Sequence, residues 1–524
     1  MNPSMQNVIA DSEPNPNRKM TKCQCLPKRF ILVIMGFFGY NLLYMLRVNL
    51  SVAIVSMVDH NHNQSNQTWM IMNNNGSNNM TITNGIIEKD KFDWNENIQA
   101  LILSSFFAGY VITQFPGGRL ADLFGSKWLF GLGIMATSIL TIISPFAARI
   151  HYSVFIGCRV LEGLFEGLAY PSMHSMFAKW IPLYERSRMS TFMYSGSQIG
   201  TVLTMPIAAL LCDSEFFGGW PSVFYVFGSI GLIWCAIWFI VVHETPEIHP
   251  TIQRKELEMI IANRNNDLTK KKPKMPWRSI ITSVPLWALV IAHFGQNWGF
   301  YTFLTQLPRY FQNVLHFDIK KNGLYSSLPY LCQAIVGCMA GYICDKLYAS
   351  QFFRLGTLRK TANTIAFLGP TICLLLLIQI GNNDPKWSII LFTIALGCNG
   401  MFLAGYHVTH LDMSPTYAST LMGITNCLAN LAGIFAPYVV GIILTNVQIE
   451  KQNNNNNNNH HYHRTMDGIK YSMYHVLFIY YRLSYSCYLA LMKDKPGTIA
   501  YLMMMMMMMM IFEYVVRKDD AHIL

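Results

Sequence analysis

The sequence predicts an all-α polytopic membrane protein built as two six-helix halves, the twelfth helix of which lacks a clear apolar pattern. Three observations carry that prediction. Of the 524 residues, 52% are hydrophobic and only 13% charged, with a mean hydropathy of +0.26; a soluble chain carries roughly 25% charged residues. Twelve spans of about 20 residues would use roughly 240 residues, and the apolar runs supply that length. A short repeat, Gly118-x-x-x-Asp122 after the second run and Gly341-x-x-x-Asp345 after the eighth, flanks a long basic loop at corresponding places, as internal duplication would produce. Together these exclude a soluble multidomain enzyme, a disordered chain and a secreted disulfide scaffold. The net charge of +11 is spread between apolar runs, so the expected partner is a lipid bilayer and not a nucleic acid.

Taken in order, residues 1–29 read as a cytosolic tail. Arg18, Lys19, Lys22, Lys28 and Arg29 precede the first span, 30 to about 57, and hold the N-terminus inside. That span is longer than the roughly 7–15-residue core of a signal peptide. Cys23 and Cys25 beside it are either palmitoylation sites or two free thiols. The loop 58–93 carries sequons at Asn63, Asn66, Asn75 and Asn79, and glycosylation requires that loop to be luminal. Spans follow at 98–116, 128–147, 154–177, 190–211 and 224–242, completing an N-terminal half over 30–242. A basic cytosolic linker at 243–283 leads to a second half over 284–445, with spans at 286–307, 323–344, 361–380, 387–408 and 418–444. All should be helices, since lipid leaves single segments no other way to satisfy their backbone. This threading puts 22 Lys and Arg on the cytosolic side and seven outside up to Thr445, the expected bias. Residues 446–524 form an aberrant low-complexity C-terminus with homopolymers at Asn453–Asn459 and Met503–Met510. A last span at 474–492 would carry Arg482 in its middle.

Charges inside spans cost roughly 2.5–3.5 kcal/mol each at a helix centre, so those present are candidates for function. Arg47 lies in span one. Arg159, Glu162 and Glu166 lie in span four, where offsets of three and seven place them on one helix face. Two acids and one base leave a spare carboxyl, expected to bind the coupling ion; the structural alternative is a permanent Arg159–Glu162 pair. Gly163/Gly167 and Gly196/Gly200 allow close helix packing, and the first pair could instead mark a sliding interface. Gln296, Trp298 and Tyr301 form a polar and aromatic cluster in span seven. Asn426 and Asn430, one turn apart, either line a cavity or bond between helices. His407, His410 and Asp412 crowd one helix end, which by itself cannot close a metal's coordination shell; no metal and no cofactor are expected. No HExxH, GxSxG or Walker loop occurs, so neither an enzyme nor an ATP-driven pump is expected.

The stretch Gly118-Arg-Leu-Ala-Asp122-Leu-Phe-Gly125-Ser-Lys127 resembles the signature loop between helices two and three of the major facilitator superfamily. More specifically, the chain resembles its anion:cation symporter branch, which holds sialin, sodium/phosphate cotransporters and vesicular glutamate transporters. The matching stretches are 46–55 (LRVNLSVAIV), 104–110 (SSFFAGY), 114–118 (QFPGG), 159–167 (RVLEGLFEG), 170–174 (YPSMH), 185–188 (ERSR), 219–225 (GWPSVFY) and 410–415 (HLDMSP). They extend over roughly 29–445.

The resemblance implies a rocker-switch carrier in which Gly118, Asp122, Gly125 and Lys127 form a conformational-gate motif. Arg47 matches the branch's substrate-binding arginine, Arg159 and Glu166 its charged pair in helix four, and Glu162 a second acid of sialin-like members. Leu103 and Gln296 replace a histidine and an arginine of vesicular glutamate transporters, which argues against glutamate transport. The expected function is therefore symport of a small organic or inorganic anion with a proton or sodium ion. Arg47, Arg159, Gln296 and Tyr301 would hold the substrate, and Glu162 and Glu166 the coupling ion. The protein is expected to be a monomer in the plasma membrane or a lysosomal or vesicular membrane. The alternative is a non-transporting receptor or scaffold with a defective second half.

Overall fold

The computed structural model describes residues 26–58, 91–94, 96–214, 216–263, 275–313, 315, 317, 319–380 and 385–453. The four sequons, residues 264–274 of the basic linker and the candidate last span lie outside these residues. Ahead of the linker come α1 (Lys28–Met57), α2 (Glu96–Phe124), α3 (Ser126–Ile150), α4 (Tyr152–Glu166), α5 (Ala169–Trp180), α6 (Arg186–Asp213) and α7 (Pro221–Val241). In the linker lie α8 (Arg254–Ala262) and α9 (Trp277–Ile281). Behind it come α10 (Val284–Asn313), α11 (Ile319–Ala349), α12 (Leu355–Ile380), α13 (Pro385–Asn399), α14 (Tyr406–Met413) and α15 (Ala418–Asn453). No strand occurs among the described residues; one parallel bridge, Val58 to Phe92, draws the two ends of the first loop together. Among the described residues, eight stretches are long and apolar enough to cross a membrane. Phe38, Ile112, Phe146, Ile233, Ile240 and Ile372 turn outward and exposed, where a bilayer would cover them.

Two expected spans are each broken in two. The run 154–177 is α4 and α5, parted at Gly167 and Leu168. Pro171 explains the break: it has no N–H for the carbonyl of Gly167, and its ring would clash there. The run 387–408 is α13 and α14, parted by a 3-10 turn at Gly400–Leu403 and by Gly405. Asn363 Oδ1 lies where a Cβ on residue 405 would sit and accepts the Tyr406 N–H at 2.8 Å, satisfying one orphan donor of the new helix start. The breaks occupy the fourth position of each half, and such discontinuities at corresponding places mark a binding region.

The linker is also less loop-like than its composition suggests. Glu256 of α8 accepts the backbone N–H groups of Lys28 and Arg29 at 3.0 and 3.1 Å and the Arg29 guanidinium at 3.0 Å. An acid is favoured at a helix N-terminus, and here it ties the linker to the start of α1. Between the halves, α2 packs on α15 and α6 on α11.

Candidate functional site

A cavity lies between the halves. Tyr44 and Arg47 of α1, Tyr110 of α2, Tyr170 of α5, and Tyr194, Ser197 and Gln198 of α6 form its N-terminal wall. The opposite wall holds His293, Gln296, Asn297, Phe300 and Tyr301 of α10, Phe402 and Leu403 of the 3-10 turn, Tyr406 and His407 of α14, and Asn426 and Asn430 of α15. Residues on both walls follow directly from the two helix breaks, which deliver Tyr170 on one side and Tyr406 and His407 on the other.

Arg47 is the one Lys, Arg, Asp or Glu side chain among these lining residues. Its Nε donates to Glu166 Oε1 at 2.9 Å, and Nη2 reaches the same oxygen. The rings of Tyr44, Tyr110 and Phe106 stand 4.7, 4.6 and 5.0 Å from its guanidinium carbon, giving the cation a π-face on several sides. Glu166 Oε2 has no partner. Arg159, expected as a substrate ligand, stands behind the wall. It is ion-paired with Glu162 through Nη1, both almost completely buried, and its Nη2 donates to the Arg47 carbonyl at 3.4 Å. Ser144 donates to the other Glu162 oxygen at 3.1 Å.

The expectation of a spare carboxyl is thereby corrected. The four groups make two pairs, Arg47–Glu166 and Arg159–Glu162, because Arg47 brings a second positive charge from another helix. The Gly163/Gly167 expectation also resolves to packing. A Cβ at Gly163 would collide with the Phe106 carbonyl, and one at Gly109 with that of Val160. That contact joins α4 to α2 within one half, so it is not the surface on which the halves move. Gly196 and Gly200 seat α6 on the backbone of α1 in the same manner.

Gln296 and Tyr301 both face the cavity. Tyr406 donates to Gln296 Oε1 at 3.2 Å, and Gln296 Nε2 to Asn399 at 3.4 Å. Tyr301 donates to Asn430 Oδ1 at 2.9 Å, Asn430 to Asn426 Oδ1 at 2.9 Å, and Asn426 to Gln114 of α2 at 2.9 Å. The two asparagines therefore do both things expected of them: they line the cavity and they bond across the halves. Leu103 sits on an exposed face of α2, away from the lining residues.

Below the cavity, at the ends that the Lys/Arg distribution assigns to the cytosol, the halves are locked together. Gly118 lets the end of α2 press on Ser419 and Thr420 at the start of α15, and Gly341 lets α11 press on Ser187 and Thr191 of α6. Asp345 Oδ1 and Oδ2 accept the N–H groups of Ser187 and Arg188 at 3.1 and 2.7 Å, capping α6 from the other half. Asp122, its counterpart in the repeat, accepts from Ser175 at 3.2 Å. Gly125 takes a φ of 92° between α2 and α3. Lys127 donates its N–H to Glu244 at 2.7 Å and its ammonium to the Phe239 carbonyl at 2.9 Å. Asp412 joins Arg186 of α6 at 3.0 Å to Arg359 of α12 at 2.9 Å. Sequence reasoning missed the Arg186–Asp412–Arg359 cluster, Glu244, and the cavity tyrosines other than Tyr301.

The comparisons agree with this architecture. Residues 36–437 match the family described as Major Facilitator Superfamily. The chain is 39% identical to sialin of Homo sapiens over 416 residues, 79% of this chain and 83% of that protein. It is 39% identical to vesicular glutamate transporter 2 of Homo sapiens, over 83% of this chain and 73% of that one. A Drosophila melanogaster protein named "Putative inorganic phosphate cotransporter" is 39% identical over 84% and 82%. Among solved structures, the proton:xylose symporter XylE bound to 6-bromo-6-deoxy-D-glucose superposes with a TM-score of 0.63 at 14% identity, covering 89% of this chain and 95% of that one, a likeness of fold alone. These are multi-pass membrane proteins, and so is this chain.

Proposed function

The chain belongs to the major facilitator superfamily, and we propose that it is a symporter that carries a small anion together with a proton by alternating access. The observation that carries this reading is the Arg47–Glu166 pair on the cavity wall. An anion entering this half-dry space needs a fixed positive partner, and a guanidinium offers a planar fork for two oxygens. Arg47 is already neutralised by Glu166, so an added anion leaves the site one negative charge in excess. A proton on Glu166 removes that excess and frees the fork. Substrate and proton then enter together, and the loaded site is as neutral as the empty one, which lowers the cost of closing around it. Arg159 and Glu162 serve as the fixed support behind Arg47, so Glu166 is the carrier of the two acids.

Three named relatives bracket the substrate: sialin, a glutamate transporter and a phosphate cotransporter. Their equal identities do not choose among them, so the cavity's own residues must. The plasma membrane and a lysosomal or vesicular membrane differ in which side is acid; coupling through Glu166 works in both and drives the anion from the acid side to the neutral one.

The test is uptake of radiolabelled N-acetylneuraminate, glutamate and phosphate into proteoliposomes under imposed proton or sodium gradients. Proton-driven accumulation is expected, lost in Glu166→Gln while anion exchange persists. Full gradient-driven accumulation by Glu166→Gln, or drive by sodium alone, would overturn the coupling scheme.

A further inference from the structure

Four histidines crowd the cavity floor: His174 of α5, His293 of α10, and His407 and His410 of α14. Three have partners for their rings. The Tyr194 hydroxyl meets His174 Nδ1 at 2.7 Å, Thr425 Oγ1 meets His410 Nε2 at 2.7 Å, and the same hydroxyl meets His293 Nδ1 at 3.3 Å. His407 differs. Its carbonyl is engaged by His174 Nε2 at 3.3 Å and His410 Nδ1 at 3.2 Å, yet its own Nδ1 has no partner although the residue is only 4% exposed. The ring is wedged between the halves, with centroids of Tyr194, His174 and Tyr170 at 4.4, 5.3 and 6.1 Å on one side and Phe402 and Tyr406 at 6.0 and 6.2 Å on the other. A phenyl ring would fill that slot without burying an unpaired nitrogen, which costs about 1–3 kcal/mol. Buried polar atoms left open in this way call for a ligand or water to complete them, and this one belongs to a residue of the cavity wall.

We propose that His407 is the second anchor of the substrate site, hydrogen-bonding an uncharged polar group at the end of an organic anion whose charged end lies on Arg47. The inference rests on the anion reading above and narrows it. Along the cavity wall, Tyr44 lies against Arg47, its hydroxyl is 3.4 Å from that of Tyr170, and the Tyr170 ring centroid is 6.1 Å from that of His407. A ligand that follows this wall from Arg47 to His407 extends past two tyrosine side chains. An acid with a hydroxyl or amide several bonds from its carboxylate can do so; inorganic phosphate reaches one end only. Because the His407 ring is held by both halves, an occupied anchor also ties the substrate to the floor that must open.

The test uses the full chain in proteoliposomes, with radiolabelled N-acetylneuraminate, glucuronate, glutamate and phosphate as probes. His407→Phe keeps a flat ring in the slot and removes the nitrogen. His407→Asn places an amide nitrogen near the Nδ1 position. His407→Phe should raise KM for the transported organic anion at least tenfold, with thermal unfolding no lower than in the parent, and His407→Asn should restore KM to within about threefold. Phosphate uptake, where present, should not change. A parent-like KM in His407→Phe overturns the proposal, as does an equal loss in both variants, which would assign the ring to packing. So does a parent that carries phosphate and none of the organic anions. Arg47→Gln separates the two readings: intact uptake there sinks the anion site itself, whereas loss there with parent-like His407→Phe sinks the second anchor alone.

Discussion

Asp412→Asn should open the cytosolic gate, and the geometry sets how far. Asp412 Oδ1 takes Arg186 of the N-terminal half at 3.0 Å and Oδ2 takes Arg359 at 2.9 Å, with the three side chains 12%, 7% and 6% exposed. Asparagine keeps the volume but removes the charge, leaving two guanidiniums in a nearly dry cleft. Removing one member of a buried pair costs about 3–5 kcal/mol. Arg359 keeps Ser187 Oγ and the Ala404 carbonyl at 2.8 Å each, and Arg186 keeps the Leu411 carbonyl at 3.2 Å, so the low end, about 3 kcal/mol, applies. When the cytosolic ends part, both arginines meet water, so the penalty falls on the closed state alone. At about 1.4 kcal/mol per decade, the equilibrium moves roughly 100-fold toward the open state. Ser197 lines the cavity, so a Ser197→Cys reporter in a background stripped of reactive thiols reads this out. A membrane-impermeant maleimide applied from the cytosolic face of sided vesicles should label it much faster in Asp412→Asn, with Asp412→Glu near the parent. An unchanged rate in a protein that remains folded would refute the gate.

Arg47→Lys keeps a charge but loses the fork onto Glu166 and the flat stack on Tyr44 and Tyr110; KM for the transported anion should rise tenfold or more at normal surface expression, and an unchanged KM would remove Arg47 from the site. Gly163→Ala forces α4 off the Phe106 carbonyl and should cost about 1–3 kcal/mol by overpacking, seen as a lower unfolding temperature in detergent. Gly157→Ala on the same helix, with nothing within 4 Å of its Cβ, is the control that should not fall. Peptide-N-glycosidase should reduce the apparent mass of the expressed protein, and joint replacement of Asn63, Asn66, Asn75 and Asn79 should abolish that shift; labelling of the 58–93 loop from the cytosol would overturn the threading.

The long apolar runs made most helices readable, because lipid demands a property that composition records directly. What hydropathy averaging hides is a local break. Gly167 and Pro171 were both in plain view, but a window of twenty residues sums across them. Pairing was legible only within one helix turn. Arg159–Glu162 is an i,i+3 contact, whereas Arg47 and Glu166 are 119 residues apart, and no periodicity joins them. The resemblance pairs Glu166 with Arg159, whereas the structure pairs it with Arg47, and the cluster of Arg186, Asp412 and Arg359 is likewise built from residues far apart in sequence. Tyrosines gave no signal of their own, since they pack as readily into any half-buried helix contact.

The distribution of charge around the cavity says how the halves divide the work. Arg47, Arg159, Glu162 and Glu166 all belong to α1 and α4, in the N-terminal half, and they cancel in pairs there. The opposite wall offers amides, tyrosines and two histidines. In the proposed scheme, proton and anion charge are therefore both taken up on one half, and the other half meets the substrate through hydrogen bonds. Rocking the halves then separates no ion pair among the described residues at the level of the cavity; what must break there are neutral contacts such as Asn426 to Gln114 at 2.9 Å. Among the described residues, the Arg186–Asp412 ion pair spans the halves at the cytosolic ends, where parting exposes it to water and its desolvation cost is returned. A carrier arranged this way can keep its charged site dry and intact through the cycle while its charged seal opens only toward solvent.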